Sequence, residues 1–514
     1  MDHKTYLKIF RKEKSEEEGV PRNKVFTNRV IEGLVKVKPR DKYQLKHVPG
    51  VGKVTIEKYG DDILSIFQKE ETNDIPDINE LIGDETIHLS KEQENVLLLA
   101  YQGENILMTG QGGVGKSFLI DLIIKVIERK ASSVQVCALT GSASELLSCP
   151  SKTIHAWSGT RIIEGNPESI IKRAVTNKNS IRNWKNADAL VIDEVSMMSK
   201  KHFDILNTIG QRIRGNTDAF GGIQLICSGD FHQIPPIADA DPNSGCFCFE
   251  SGDWYSSFPP QNVVELTKVF RQSDKPWLKV LKQVRRGKYS HKTIDTLKKR
   301  IGVPRDSKNI PTRITPSRDN CRRINEREMA KLQTESKVFT MKTFGNTKSY
   351  IPPHVLEIDV KNLKKSMLCE RLELKIGAKV MCLANLDLES HLQIVNGSQG
   401  IIRKWSFNGY PIVEFSNGRT QEMSPHSIMS ETIDGLGIKQ VPLLPSWAIT
   451  THKSQGITLD EGIIDAGSEN FEYGQIYVAL SRVRTLEGLY LTGLDYLKIK
   501  ANPKVTAYYD SLSE

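Results

Sequence analysis

Residues 110–117 read GQGGVGKS, a G-x-x-x-x-G-K-[S/T] pattern, and no other stretch narrows the possible folds as far. ENILMT (104–109) ahead of it reads as a strand, and FLIDLIIKVIERK (118–130) behind it has apolar residues at helical spacing. A strand, a glycine loop and a helix start make up the setting in which this pattern cradles phosphate. Gly110, Gly112, Gly113 and Gly115, with Val114 among them, let the backbone curl so that its N–H groups face phosphate oxygens. The positive end of the helix adds to the attraction. Lys116 then reaches the β- and γ-phosphates, and the Ser117 hydroxyl helps to hold Mg²⁺. A bare glycine turn is the weak alternative, since four fixed positions at this spacing seldom coincide. Alone, the pattern implies binding of a nucleoside triphosphate such as ATP and nothing about its use.

The chain has 514 residues, more than one hydrophobic core of about 250–300 residues serves, so several domains are expected. Hydrophobic residues make up 38% and charged residues 26%, as in ordinary globular proteins. No apolar run approaches the roughly 18 residues of a membrane span, and MDHKTYLKIFRKEK at the start lacks a signal-peptide core. Eight cysteines lie scattered without C-x-x-C pairs. Cys246 and Cys248 have no matching second pair, which favours thiols over a metal site and a reducing compartment, cytosol or nucleus. The net charge of +9 is unevenly spread: residues 1–70 carry +5, residues 71–95 carry −7, and the remainder carries +11. Two basic bodies joined by an acidic connector point to a polyanionic partner, most simply nucleic acid.

Residues 1–70 read as a small all-helical module. Thr27 is placed to cap a helix through NRVIEGLVKV that Pro39 stops, and Asp41 starts the next. HVPGVGK (47–53) is a glycine hairpin with Lys53 and Lys58 nearby, able to offer backbone N–H groups to a phosphate or simply to pack two helices. ETNDIPDINELIGDETIH (71–88) reads as an acidic linker. In LSKEQENVLLLA, Ser90 and Gln93 have capping-box spacing. A Gln just upstream of a P-loop strand also suits the adenine edge. ALVIDEVSMMS (189–199) is an apolar strand ending in two carboxylates. Asp193 there suits Mg²⁺, and Glu194 suits the water that attacks phosphate. GGIQLICSGDFHQIPP delivers Asp230 and Gln233 to the same sheet edge, where ligands of open parallel sheets sit. Arg271 in VFRQ and Arg482 in VALSRVR are the guanidiniums that a charged phosphoryl transition state calls for.

Taken in order, the P-loop, ALTGS, TIHAWSG, VIDEVSM, GDFHQIPP, VFRQ, THKSQG and VALSRVR resemble the superfamily-one helicases from about residue 89 to 495. KKHFDILNTIGQRIRGNTDAFGGIQ (200–224) and QVPLLPSWAITTHKSQGITLD (440–460) narrow the resemblance to the petite-integration-frequency branch, akin to RecD and Dda. IFRKEKSEEEGVP through LKHVPGVGKVTIEKYGDDIL resembles the HRDC domain (helicase and RNase D C-terminal). The implied fold is α/β, with two RecA-like domains, 89–262 and 263–514, behind the HRDC-like module and its linker. Residues 160–186 are then a wedge insert, and about 345–440 an SH3-like barrel insert.

The resemblance implies ATP and Mg²⁺ held between the two RecA-like domains. Lys116, Ser117, Asp193, Glu194 and Gln233 come from the first, and Arg271 and Arg482 from the second. Gln93 selects adenine. Single-stranded DNA is ratcheted one nucleotide per cycle, 5′ to 3′, against Thr140, Ser142, Thr153 and His155 on one side and Thr451, His452, Lys453 and Ser454 on the other. Backbone contacts of this kind carry no sequence information. The implied activity is an ATP-dependent DNA helicase working as a monomer on single-stranded and forked DNA, with RNA left open. A non-unwinding translocase and an accessory nucleic-acid-binding subunit are the competing readings. Trp157 reads as a packed residue rather than a base-stacking one.

Overall fold

The computed structural model describes residues 3–68, 78–84, 86–130, 132–144, 147, 149–161, 163, 165–237, 245–303, 311–345, 357, 360, 370–384, 386, 394, 396–430 and 435–512. The N-terminal module is helical as expected, with His3–Glu17, Asn28–Val37 and Lys53–Gln68 as its main helices. Leu7, Val30, Ile31, Leu34, Leu45 and Ile63 close a core of their own. Thr27 stands at the cap of Asn28–Val37 without a side-chain capping bond, whereas Asp41 caps Lys42–Leu45 by accepting from the Gln44 N–H.

The acidic stretch is not all linker. Its residues 71–77 and 85 lie outside the described residues, but Ile78–Ile82 is a short helix. Leu81 and Ile82 are buried against Leu119, Ile123 and Val126 of the helix behind the P-loop. Two apolar side chains are enough to fold this turn onto the next body despite the surrounding carboxylates.

The first large body is a six-stranded parallel sheet: β1 Ile106–Thr109, β2 Val134–Ala138, β3 Ser151–Thr153, β4 Ala189–Asp193, β5 Gln224–Gly229 and β6 Val263–Glu265, in the spatial order β3-β2-β4-β5-β1-β6. Central strands β1 and β4 are buried throughout, the pattern of a sheet covered on both faces. Because β6 pairs with β1, the sheet runs past the expected boundary at 262. Residues 167–176 and 178–186 of the expected wedge form two helices packed on Lys200–Arg214. Trp184 is buried there with its ring centroid 4.7 Å from that of Trp157, so Trp157 is a packed residue.

The second large body carries a four-stranded parallel sheet of Ala448–Thr450, Thr312–Thr315, Gly462–Ala466 and Leu489–Leu494, in that spatial order. Between its first two strands in sequence lies an antiparallel five-stranded sheet: Thr420–Glu422, Pro411–Phe415, Gln399–Trp405, Lys379–Cys382 and Leu443–Pro445. This insert has a separate core around Leu374, Val380, Ile402 and Val413. The chain ends by crossing back: helix Pro503–Ser511 sets Val505 and Tyr508 into the core of the first body. Among the described residues, no helix is long and apolar enough to cross a membrane.

Candidate nucleotide cleft and strand-binding segments

The P-loop joins β1 to helix Lys116–Arg129, with Gly115 left-handed (φ +83°) at the helix cap. Lys116 Nζ donates to the carbonyls of Gly110 (2.8 Å) and Gln111 (3.3 Å), and burial lowers its pKa against the pull of Asp230, Glu194 and Asp193. Ser117 is exposed at the start of the helix. At the end of β4, Asp193 and Glu194 lie side by side. Burial raises the pKa of both, that of Glu194 to about 7 with Asp193 as the second cause. Glu194 holds a left-handed backbone (φ +56°, ψ +39°), costly for a residue with a Cβ. That turn breaks strand geometry immediately after Asp193 and presents two consecutive carboxylates to one edge.

The second body comes directly onto this loop. A Cβ built on Gly112 would lie 3.3 Å from Arg482 Nη2 and 3.6 Å from Arg271 Nη1. On Gly113 (φ +90°) it would lie 2.5 Å from Arg271 Cβ, so only glycine admits the approach. Arg271 sits on the junction of the two bodies: the N–H groups of Phe270 (2.8 Å) and Arg271 (3.3 Å) both donate to the Gly113 carbonyl, and Gln272 Nε2 donates to the Ser481 carbonyl of the second body (3.0 Å). Arg482 is almost wholly buried, its Nε on the Val478 carbonyl (2.9 Å) and Nη2 on Ser481 Oγ (2.7 Å). Burial first, and Arg271 beside it second, lower its pKa to about 9. Two guanidiniums that repel each other in a dry cleft form a site for an anion. Glycines that a Cβ would choke, a lysine, buried carboxylates and paired arginines together fit a nucleoside triphosphate with a divalent cation.

Gln93 realises the capping box: it accepts from the Ser90 N–H through Oε1 (3.0 Å). Its Nε2 lies 3.3 Å from a Cβ built on Gly115, so the amide still faces the loop. Half-exposed Phe270 flanks the same glycine.

Several residues here escaped the sequence reading. Gln455, just past THKS, donates from Nε2 to Glu194 Oε2 (3.0 Å) and Gln233 Oε1 (3.3 Å), so it joins the two bodies beside the buried carboxylates. Tyr477 accepts from the Gly112 N–H (3.1 Å) and donates to Asp230 Oδ2 (3.1 Å). Arg285 makes a buried pair with Asp230 (2.9 Å) and reaches Glu265 (3.2 Å). Burial works to raise the Asp230 pKa, but Arg285 overrides it and holds the carboxyl below its ordinary range. Tyr509 of the last helix shares a hydrogen bond with Thr109 and takes the Phe231 N–H (3.4 Å). Gln455 lies inside THKSQG and Tyr477 directly precedes VALSRVR, whereas Arg285 and Tyr509 carry no sequence signal.

The strand-contact candidates fall on both bodies. Thr140 and Thr153 follow or end neighbouring strands β2 and β3 and cap short helices through Oγ1, accepting from Ala143 N–H (3.1 Å) and Ala156 N–H (3.4 Å). Ser142 belongs to the helix Gly141–Ser144, but its side chain lies outside the described residues. His155 rests against His202 (4.6 Å), and burial lowers its pKa to about 4, which leaves a neutral imidazole. Thr451 and Ser454 do not present their hydroxyls to a strand in this structure. Both are buried, donating to the carbonyls of Thr315 (3.4 Å) and Thr451 (2.7 Å). They shape the turn that leaves Lys453 exposed and His452 half-buried.

Comparison with known proteins agrees with this arrangement. Residues 88–294 match the model of the PIF1-like helicases, 5–67 that of the HRDC domain, and 357–405 that of the 2B domain of the DNA helicase Pif1. The "ATP-dependent DNA helicase Pif1" of Bdellovibrio bacteriovorus is 33% identical over 82% of this chain and 92% of that protein. The chain belongs to the PIF1-like helicase family. The zebrafish (Danio rerio) "ATP-dependent DNA helicase PIF1" is 35% identical over 82% of this chain, which spans 64% of that relative's length. A crystal structure of the Pif1 helicase from Candida albicans superposes with a TM-score of 0.71 at 30% identity, covering 83% of this chain and all of that one. Bacteroides Pif1 bound to single-stranded DNA gives 0.60 at 25% identity, over 83% of this chain and 97% of that one. The helical N-terminal module is therefore an HRDC domain, and the two parallel sheets are those of the PIF1-like fold.

Proposed function

We propose that the chain is an ATP-dependent DNA helicase that moves 5′ to 3′ on single-stranded DNA and opens the duplex ahead of it. The observation that carries this reading is the meeting of Arg271 and Arg482 at Gly112, with Gln455 bonded to Glu194 across the same cleft. Bound ATP with Mg²⁺ supplies the phosphoanhydride whose hydrolysis drives the cycle. Lys116 and the P-loop amides hold the β- and γ-phosphates, and Ser117 and Asp193 hold the cation. Glu194 takes a proton from the attacking water. Arg271 and Arg482 neutralise charge that develops on the phosphoryl oxygens. Gln93, with Phe270 beside it, faces the adenine.

Gln233 and Gln455 tie that chemistry to the strand segments. Thr140, Thr153, His155, His452 and Lys453 line the track, with the turn shaped by Thr451 and Ser454 next to Gln455. When the cleft opens after hydrolysis, the two sets of contacts separate, and the strand advances. We place the first RecA-like domain at 89 to about 265, the second beyond it, and the SH3-like insert at about 345–440. The working form is a monomer inside the cell, acting on single-stranded and forked DNA, and an RNA strand meets the same backbone contacts. The test is hydrolysis measured with and without single-stranded DNA. The intact chain should be strongly stimulated, and Lys116→Ala should lose hydrolysis while retaining measurable DNA binding. Hydrolysis indifferent to DNA would contradict the reading.

A further inference from the structure

The N-terminal helical body is seated on the first ATPase body at Asp188 and Ser132. Asn28 Nδ2 donates to Asp188 Oδ1 (2.8 Å), Lys8 Nζ lies 3.7 Å from the same oxygen, and Lys8 also donates to Ser132 Oγ (2.9 Å). Beside these contacts runs a groove of about 900 Å³ with one wall from each body. Its lining holds seven cationic side chains against two carboxylates, Glu32 and Glu128.

The cations differ in what they already do. Arg212 is paired with Glu168 (2.6 Å), and Arg214 donates to the carbonyls of Gly221 (2.6 Å), Trp184 (2.8 Å) and Ala187 (3.1 Å). Arg29 and Lys185 are exposed and Lys12 half-exposed, facing the groove from the two sides. At its floor Arg11 is only 4% exposed. Its Nη1 is spent on Asn28 Oδ1 (2.7 Å) and the Phe26 carbonyl (3.3 Å), yet its Nε has no partner. A buried guanidinium N–H without an acceptor costs free energy unless something arrives to take it. The ten-residue helix Asn28–Val37 also starts in the groove, with Thr27 making no side-chain capping bond there. A positive helix end and a buried guanidinium N–H without an acceptor both call for an anion.

We propose that this groove is a second nucleic-acid site, built jointly by the N-terminal module and the ATPase body, which takes the phosphodiester backbone of DNA without reading its bases. The choice of DNA as the polyanion rests on the motor reading above; the site itself does not. The groove lies away from the nucleotide cleft, so it adds grip rather than chemistry. Its contribution is electrostatic and depends on salt, with a slope of about 0.9 per phosphate contact on duplex DNA.

The test uses the full chain and a forked DNA. Affinity is measured across a salt series for the intact protein, Lys185→Ala, Lys12→Ala/Arg29→Ala and the triple variant. The slope should fall by roughly 2–3 in the triple variant and by about 1 in Lys185→Ala, and affinity should drop roughly tenfold or more. Hydrolysis saturated with single-stranded DNA should stay the same, and Lys12→Arg/Lys185→Arg should keep the full slope. An unchanged slope in the triple variant would overturn the proposal. So would an effect confined to Lys12→Ala/Arg29→Ala, which would leave no part for the ATPase wall. Inorganic phosphate is titrated in parallel. If it raises the melting temperature of the intact chain but not of the triple variant, and the salt slope does not change, the groove binds free phosphate and not a strand. An intact chain that binds no DNA would sink the motor reading. An intact chain that binds DNA no better than its triple variant sinks only the groove.

Discussion

The chain has two seams, and they are built of different material. Between the two large bodies, Asp230 and Arg285 face each other with side chains 0% and 5% exposed; Tyr477 donates to Asp230, and the Arg285 guanidinium lies 5.4 Å from the Tyr509 ring in a buried hub. Between the N-terminal module and the ATPase, Asn28 and Lys8 meet Asp188 at the edge of an open basic groove. Low dielectric makes each bond of the first seam strong and its loss severe, while water competes at the second. A seam that must report hydrolysis to a strand needs one defined closed geometry. A seam that only adds grip needs placement and charge.

The comparison breaks if the two seams respond alike to deletion. Arg285→Ala leaves Asp230 buried without a counter-charge and should cost about 3–5 kcal/mol, seen as an early unfolding step in denaturant titration. Asn28→Ala removes two part-buried hydrogen bonds, one to Asp188 and one from Arg11, and should cost about 1–2 kcal/mol in the same experiment. The Asp230 contribution has a definite sign with pH. Its pKa is depressed in the folded chain, so the stabilisation is complete above the ordinary carboxylate range and fades as pH falls through the depressed value. Equal costs for the two variants would mean that the motor seam is not the tighter one.

A smaller effect sharpens the first seam further. Gln455→Ala cuts the bonds from the 452–454 turn to Glu194 and Gln233 and, on the proposed coupling, should lower the stimulation of hydrolysis by single-stranded DNA roughly tenfold, about 1.4 kcal/mol in the barrier. The ratio of stimulated to unstimulated rates is the readout. A variant that loses both rates equally would make Gln455 part of the hydrolytic site and not its link to the strand.

How much of this could be read from the sequence follows from the range of the forces involved. The P-loop, the carboxylates at the end of β4 and the two arginines were legible because phosphate chemistry fixes residue type and local spacing together. The direction of the Thr451 and Ser454 hydroxyls was not legible, because the same groups that can meet a phosphate can also satisfy their own turn, and here they do. The first body extends past residue 262 because Val263–Glu265 is a three-residue edge strand whose membership depends on a partner more than 150 residues away. The packing of Leu81 and Ile82, and the return of Tyr508 and Tyr509 to the first body, arise from tertiary contact alone. Arg285 is the sharpest case. It lies on the apolar face of its helix, one turn past Leu281, and only the fold supplies Asp230 opposite it.

The central claim is directional motion on DNA driven from the cleft at Lys116. Strand displacement on two duplexes that differ only in carrying a 5′ or a 3′ single-stranded tail tests it most directly. ATP-dependent unwinding is expected of the 5′-tailed duplex and not of the 3′-tailed one; unwinding of the 3′-tailed duplex alone would overturn the proposed direction of travel.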